Sequence, residues 1–247
     1  MKRGSVGVSV LRERLMDLRD ARASQVAAAV LLAIHLAVAL AGGVDRLEDW
    51  YLALGLRRAD VFAGKLWQIG THALLHGTWW HVACNAALLL MLGSRIERML
   101  GTGALLKALA CGVAGGAVAH LALVPGEGAA SPLVGASGGC VALLLAVTTL
   151  SPDSRMFPLP VSAGNLGKGI LLAVAALALT NPELGIPGLA DAGGWMAAHG
   201  WDGGFRVGHA CHLGGGLAGW FYARLWLRQP VSLDELRERR RRSEGGC

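Results

Sequence analysis

Long runs of apolar residues, separated by short polar or glycine-rich stretches, dominate this chain of 247 residues. A helix that crosses the hydrocarbon core of a bilayer needs about 20 mostly apolar residues, because the core is roughly 30 Å thick and a helix rises about 1.5 Å per residue. Six stretches come near that length: 25–42, 81–92 with apolar flanks, 104–124, 134–150, 169–179 and 207–226. The pattern predicts an all-α, polytopic membrane protein with a bundle of six transmembrane helices.

Composition supports a lipid environment. Hydrophobic residues make up 53% of the chain and charged residues only 16%, whereas soluble domains carry about 25% charged residues. The first apolar stretch follows basic residues, as in a signal peptide, but no clear cleavage site followed by a soluble domain comes after it. We therefore interpret that stretch as the first span.

Lysine and arginine are concentrated before the first span, in the connections between spans two and three and spans four and five, and in the tail. Short cytoplasmic loops carry this excess, so both termini are predicted to be cytoplasmic. The expected regions are a cytoplasmic N-terminal segment (1–24), a membrane domain (25–228) and a basic cytoplasmic tail (229–247). We expect the plasma (inner) membrane of a bacterium as the location.

The formal net charge of +6 raises nucleic acid as a partner, but the basic residues lie at the ends and inner loops of predicted spans. Membrane topology explains them better, so the lipid bilayer is the expected partner and nucleic acid is not. For the tail, contact with anionic headgroups and plain solvated charge both stay open. An outer segment, 43–80, is rich in aromatic residues and is expected to lie at the membrane interface.

Polar side chains inside spans are costly, so each one is a candidate functional residue until a structural partner is found. Four of them stand out: His81 and Asn85 in the second span, Ser137 in the fourth and His212 in the sixth. The predicted topology brings all four toward the outer side of the membrane. That agreement makes them candidates for one site.

Ser137 is flanked by Gly135 and Gly138, which by themselves indicate a small-residue packing seam. His212 changes this interpretation, because Gly215 and Gly219 follow it on nearly the same helical face. Two glycine-bearing helices can approach until imidazole and hydroxyl are within about 2.6–3.2 Å. The pair would then act as nucleophile and general base in attack on a carbonyl.

His81 and Asn85 are spaced i, i+4 and so point to one face of the second span. Together with the backbone NH of Ser137, their side chains are candidate donors to the negative oxygen of a tetrahedral intermediate. A structural hydrogen bond between helices is the alternative for each, and the spacing does not decide between them.

These residues resemble the rhomboid family of intramembrane serine proteases. The matching blocks are 76–85, 135–138 and 210–215 with Gly219, and Gly93, Glu97 and Gly101 also look like the family's pattern. The resemblance covers about residues 60–225. It implies a six-helix core, a catalytic dyad of Ser137 and His212, oxyanion donors His81 and Asn85, no cofactor, and membrane-protein substrates cut in their transmembrane segments. The segment before His76 would be the family's membrane-embedded first loop, and the outer loop 181–206 its cap or gate.

Two positions depart from that pattern. Gln68 stands where an Arg is common, which puts the anchoring of the first loop in doubt. Val141 replaces an aromatic residue that often supports the catalytic histidine. A non-catalytic rhomboid-like protein that binds client helices, and a specialised protease that trims C-terminal anchors, remain the alternatives to a general protease.

A metal site is the sharpest alternative chemistry, because histidines and cysteines are numerous near the predicted site: His72, His76, His81, His209, His212, Cys84 and Cys211. No H-E-x-x-H motif and no G-x-G-D motif is present, so we expect no metal. The cysteines form no C-x-x-C pair. Those in predicted spans, Cys84, Cys111, Cys140 and Cys211, are expected to be small buried side chains.

Overall fold

The computed structural model describes residues 20–124, 132–155, 161–201 and 208–227. Within these ranges the regular structure is helical, and extended pairing is limited to two isolated bridges, Leu56 with Leu133 and Arg155 with Ser162. The prediction of an all-α fold is confirmed. Residues 1–19 and 228–247 lie outside the described residues, so the boundaries of the N-terminal segment and the tail stay predictions.

Eleven α-helices follow one another through the described residues. They are α1 (Arg22–Leu40), α2 (Glu48–Leu54), α3 (Arg58–Phe62), α4 (Gln68–Thr71), α5 (Trp79–Leu88), α6 (Ser94–Leu100), α7 (Thr102–Leu123), α8 (Ser137–Leu150), α9 (Ala163–Leu179), α10 (Leu189–Met196) and α11 (His209–Tyr222). Helices α1 and α7 are long and apolar enough to cross a membrane, whereas α8 and α9 are apolar but shorter. The count of six spans is therefore not established by helix length.

Several helix boundaries differ from those expected from the apolar runs. A π-helical turn, Leu89–Gly93, joins α5 to α6, so the second run continues to Leu100. Helix α8 begins at Ser137 rather than at 134, because Gly135 has a left-handed φ of +117° that a helix does not accommodate. Helix α9 begins at Ala163 rather than at 169, because the Ser162 side chain caps it.

Helices α7, α8 and α11 pack with their backbones in direct contact. A Cβ atom added at Gly215 of α11 would collide with the backbone of Gly138 in α8, and one at Gly219 would collide with the backbone of Ala142. The glycine seam predicted on α11 thus faces α8. Gly112 of α7 approaches the same helix, where an added Cβ would lie 2.9 Å from the Gly139 Cα. This contact sets the distance between the chain segments that carry Ser137 and His212.

The end of the bundle that carries Ser137 and His212 is here called the outer end, and the opposite end the inner end, after the predicted orientation. At the inner end, the buried Glu97 carboxylate of α6 joins three helices. It accepts hydrogen bonds from the Ala23 NH (3.0 Å), the Ser24 NH (2.9 Å) and hydroxyl (2.8 Å), and the Thr102 hydroxyl (3.0 Å). The first two donors are otherwise unpaired NH groups in the first turn of α1, so Glu97 caps that helix.

The aromatic-rich segment after α1 folds onto the outer end as the short helices α2, α3 and α4. Gln68 is completely buried and holds this segment together. Its amide donates to the Leu52 carbonyl (3.1 Å) and the Asp60 carboxylate (3.2 Å), and its side-chain oxygen accepts from the Arg57 NH (3.0 Å). Gln68 therefore anchors the segment, although the replacement of the family's common Arg had put that anchoring in doubt.

The cysteines follow the expectation of burial only in part. Cys140 and Cys211 are buried, Cys84 is half-buried and Cys111 is exposed on α7, and all four thiols are free. The expectation was wrong for Cys111, whose side chain is exposed. Cys247 lies outside the described residues.

The outer loop before the last helix is more ordered than its Gly and Pro content suggests. It contains a 3-10 turn, Pro182–Leu184, and the helix α10. Asn181 accepts a hydrogen bond from the Glu183 NH (3.1 Å) and so caps the turn. Residues 202–207 lie outside the described residues, and a role of this loop as a gate stays a prediction.

Candidate active site

Ser137 is the first residue of α8 and is partly exposed. The chain reaches it through Gly135, whose NH donates to the His72 carbonyl (2.9 Å). This contact fixes the loop against the α4 region, and the left-handed turn at Gly135 then directs the chain into the helix. As the first helical residue, Ser137 has a backbone NH among the donors that an α-helix leaves unpaired at its N-terminus.

His212 lies near the start of α11, and its imidazole contacts Ser137. The distance between His212 Nε2 and Ser137 Oγ is 2.8 Å, a normal hydrogen-bond length. The hydroxyl can donate to Nε2 when the imidazole is neutral and its proton is on Nδ1. The close approach of Gly215 to Gly138 makes this contact between residues far apart in sequence. The structure thus brings together the two residues predicted as nucleophile and base.

His81 and Asn85 lie on α5 beside the loop that leads to Ser137. A Cβ atom added at Gly135 would lie 2.6 Å from His81 Nε2 and 3.7 Å from Asn85 Nδ2, so both side chains reach that glycine. The Thr78 hydroxyl caps α5 by accepting from the His81 NH (3.1 Å). All four predicted site residues therefore lie at the outer end, around the turn at the start of α8.

Asn85 is an unusual buried polar residue. It is only 2% exposed, and its Nδ2 has no hydrogen-bond partner among the described residues. Buried polar groups are normally paired, because an unpaired one costs about 1–3 kcal/mol. An amide donor held beside Gly135, two residues before Ser137, and without a partner can receive a negatively charged oxygen. Asn85 Nδ2 thus makes no structural bond between helices among the described residues, and its oxyanion role stays a prediction.

The support of the His212 ring differs from the pattern noted in the sequence. Val141 supplies no ring; a Cβ added at Gly216 would lie 3.2 Å from its Cγ1, so Val141 faces α11. His209 is an edge-on neighbour of His212, with ring centroids 6.0 Å apart. His76 stands in a similar edge-on relation to His81, at 4.9 Å. Each of the two histidines predicted at the site thus has a second histidine beside it.

Sequence reasoning missed the contribution of α7. Gly116 lies against Cys211, next to His212, and a Cβ added there would approach the Cys211 sulfur to 2.7 Å. Gly112 and Gly116 are spaced four apart inside an apolar run, the spacing typical of close helix contacts in membranes. That signal was present in the sequence and would have indicated α7 as the third helix of the seam.

A metal site has no counterpart in the part of the chain that the structure describes, where no three His, Cys, Asp or Glu side chains converge. His72 has a structural contact instead, between its Nδ1 and the Gln68 carbonyl (2.9 Å). Independence from metal stays a prediction.

Comparison with known families gives one result for this chain. A family model described as "Rhomboid domain" matches residues 63–229, well over half of the chain. The matched range contains Ser137, His212, His81 and Asn85. A search of curated proteins found no significant match.

Proposed function

The chain belongs to the rhomboid family, and on that premise we propose that it is an intramembrane serine endopeptidase with Ser137 as nucleophile and His212 as base. The observation that carries the proposal is the 2.8 Å contact between Ser137 Oγ and His212 Nε2. The sequence distance between them is large, and the contact depends on glycine-mediated backbone packing of two helices. The proposed reaction is hydrolysis of a peptide bond in a membrane protein.

In the first half of the reaction, Ser137 Oγ attacks the carbonyl carbon of the scissile bond while His212 Nε2 takes the hydroxyl proton. The carbonyl oxygen becomes negative as the tetrahedral intermediate forms. His212 then donates its proton to the leaving nitrogen, the C–N bond breaks, and the new amine departs. The acyl group remains as an ester on Ser137.

The second half repeats these steps with water. His212 takes a proton from a water molecule, whose oxygen attacks the ester carbonyl. The C–O bond to Ser137 breaks, and the hydroxyl regains its proton from His212. The partial exposure of Ser137 gives water a route to the ester.

The negative oxygen formed in each half would be bound by the Ser137 NH, Asn85 Nδ2 and His81 Nε2. The unpaired state of Asn85 Nδ2 supports this role, because the donor is already desolvated and needs no reorganisation. No third acidic residue is required in this scheme.

Substrates are proposed to be transmembrane segments of other membrane proteins, reached from the outer side of a bacterial plasma membrane. A helical peptide bond must leave its backbone hydrogen bonds before attack, so segments with helix-breaking residues near the cut are favoured. We also propose six spans, formed by α1, the α5–α6 run, α7, α8, α9 and α11. The membrane domain would be 25–228, with a cytoplasmic segment before it and a cytoplasmic basic tail after it.

Two other functions known within the rhomboid family would give different results with a serine-directed probe. A non-catalytic client-binding protein would not react with a serine-directed probe, although it would bind helices. A specialised protease that trims C-terminal anchors would react with the probe but cut only such anchors. The 2.8 Å contact favours the catalytic alternatives.

The decisive experiment is labelling of the purified protein in detergent with a fluorophosphonate probe. We expect wild type to be labelled and Ser137→Ala and His212→Ala to be unlabelled, since the probe needs an activated serine. Ser154→Ala, in the turn beyond the inner end of α8, is the matched control and should be labelled like wild type. Cleavage of a single-span reporter in liposomes should follow the same order. A wild-type protein that resists the probe, or a Ser137→Ala variant that still cuts, would overturn the proposal.

A further inference from the structure

A cavity of about 180 Å³ lies between α8, α9 and α11, away from the candidate active site. Its lining comes from one side of each helix and the turn that follows it: Leu145, Thr148 and Thr149 of α8 with Pro152 just after it, Gly164, Gly167, Lys168 and Leu171 from the start of α9, and Trp220 of α11 with Arg224 in the π-helical turn after it. The spacing within each set is i, i+3, i+4 or i+7, as expected for a single helical face.

The cavity lies at the inner end of the bundle. Thr148 is eleven residues after Ser137 on the same helix, which is about 16 Å at the usual rise per residue. The distribution of Lys and Arg predicts that this end faces the cytoplasm. The cavity is therefore at the depth of the inner leaflet and takes no part in the chemistry proposed at Ser137.

Glycines at the start of α9 let that helix touch the end of α8 beside the cavity. A Cβ added at Gly167 would collide with the Thr148 hydroxyl, and one at Gly164 would lie 3.1 Å from Pro152 Cβ. The helices touch at these points and separate beside them. Leu172 and Leu225, the sequence neighbours of the lining residues Leu171 and Arg224, are 71% and 65% exposed, so the surface beside the gap is apolar.

The charges at the cavity are all positive. Lys168 and Arg224 are its charged lining residues, and neither forms a salt bridge with a described residue. The Arg224 guanidinium lies over the Trp220 ring, 5.4 Å from its centroid, which holds the cation at the mouth. Two cations beside an apolar gap are complementary to a ligand with an anionic head and a hydrocarbon chain.

We propose that this cavity binds an anionic phospholipid of the inner leaflet. The phosphate lies between Lys168 and Arg224, and the upper part of an acyl chain enters the gap between α8, α9 and α11. Basic pockets between transmembrane helices on the cytoplasmic side bind anionic headgroups in this way. The apolar lining from Leu145 and Leu171 favours a lipid over a free phosphate ion, which would leave that surface empty.

The proposal is tested with the full-length protein in nanodiscs of phosphatidylcholine that contain a trace of phosphatidylglycerol with a photoreactive acyl chain. After irradiation, we expect the label on peptides from 145–152 or 164–171, and little label when the photoreactive lipid is phosphatidylcholine. Replacement of both cations, Lys168→Gln with Arg224→Gln, should weaken competition by unlabelled phosphatidylglycerol about thirtyfold, since each cation near the membrane surface contributes about a fivefold factor.

The matched control is Lys107→Gln with Arg155→Gln, which removes the same charge from exposed positions outside the lining. It should leave the phosphatidylglycerol label unchanged. Equal loss in both double variants would mean general surface attraction only, and equal labelling by the two lipids would mean an apolar gap without headgroup recognition. Either result overturns the proposal. The fluorophosphonate reaction of the Lys168→Gln/Arg224→Gln variant verifies that the bundle is folded, independently of the lipid result.

Discussion

At the inner end of the bundle the buried Glu97 carboxylate accepts four hydrogen bonds, whereas at the outer end the buried amide nitrogen of Asn85 has no partner among the described residues. Both residues belong to the same helical run, from α5 through the π-helical turn to α6. The bundle thus satisfies the buried Glu97 carboxylate, and likewise the buried Gln68 amide of the outer segment, but leaves the Asn85 amide nitrogen without a partner among the described residues.

The difference separates two uses of a polar side chain in a membrane. A fully paired group such as Glu97 stabilises the helix arrangement, because its removal leaves four donors without an acceptor. An unpaired group such as Asn85 costs stability in the resting protein, and that cost is recovered when a ligand supplies the missing partner. Activity should therefore depend on Asn85 and stability on Glu97.

The largest effect is expected at Asn85. Asn85→Ala should lower kcat/KM for a single-span reporter roughly 100- to 1000-fold, because one preorganised donor to the oxyanion is lost. Its thermal stability should equal or exceed that of wild type, since an unpaired buried donor is removed. Both are measured in detergent, with reporter cleavage and a thermal unfolding curve.

Cys84→Ala is the matched control on the neighbouring position of α5 and should change neither quantity. A large loss of stability in Asn85→Ala with little loss of activity would reverse the comparison, and Asn85 would then be a structural residue.

At Glu97 we expect a smaller free-energy effect, and we expect it on stability rather than on activity. Glu97→Ala should lower the free energy of unfolding by about 2–3 kcal/mol, because buried donors in the first turn of α1 lose a charged acceptor. Glu97→Gln keeps one acceptor oxygen and should lose less. The measurement is unfolding in mixed micelles, together with fluorophosphonate labelling per folded molecule.

Labelling should be unchanged in both Glu97 variants at a temperature where they are folded. A Glu97→Gln protein that folds normally but does not react would show that the inner end controls the site, and the separation of roles would fail.

Sequence reasoning could anticipate the site because its signals are local. Glycines spaced four apart predict a close helix contact, and the i, i+4 spacing of His81 and Asn85 predicts a shared face. Those patterns, together with the resemblance to the rhomboid family, selected Ser137 and His212, which the structure brings to 2.8 Å.

The features that sequence reasoning missed depend on pairings between distant segments. Gln68 anchors the outer segment through contacts with Leu52, Asp60 and Arg57. No helical or strand spacing in the sequence predicts these contacts. The start of α8 at Ser137 depends on the conformation of Gly135, which the apolar run does not reveal. The cavity near Lys168 arises from three helix faces that meet only in the folded bundle.

The smallest effect is expected at Asp60, which lies in the outer segment and yet is paired like Glu97. Its carboxylate accepts from Lys65 (2.9 Å) and Gln68 (3.2 Å), and the hydrogen bond from Lys65 holds the pKa of Asp60 below its ordinary value of 3.8. A carboxylate with a lowered folded-state pKa contributes stability above pH 3.8 and loses that contribution as the pH falls through the lower value.

Asp60→Asn should therefore be less stable than wild type at pH 7 by less than about 1 kcal/mol, since the Lys65 side chain is 43% exposed and water screens the pair. The difference should shrink as the pH falls below 3.8, and high salt should reduce it at neutral pH. Unfolding curves of the two proteins across this range measure it, with Asp153→Asn as the control for an exposed carboxylate. If Asp60→Asn lowers activity and leaves stability unchanged, then position at the outer end, and not pairing, decides the role of a polar residue.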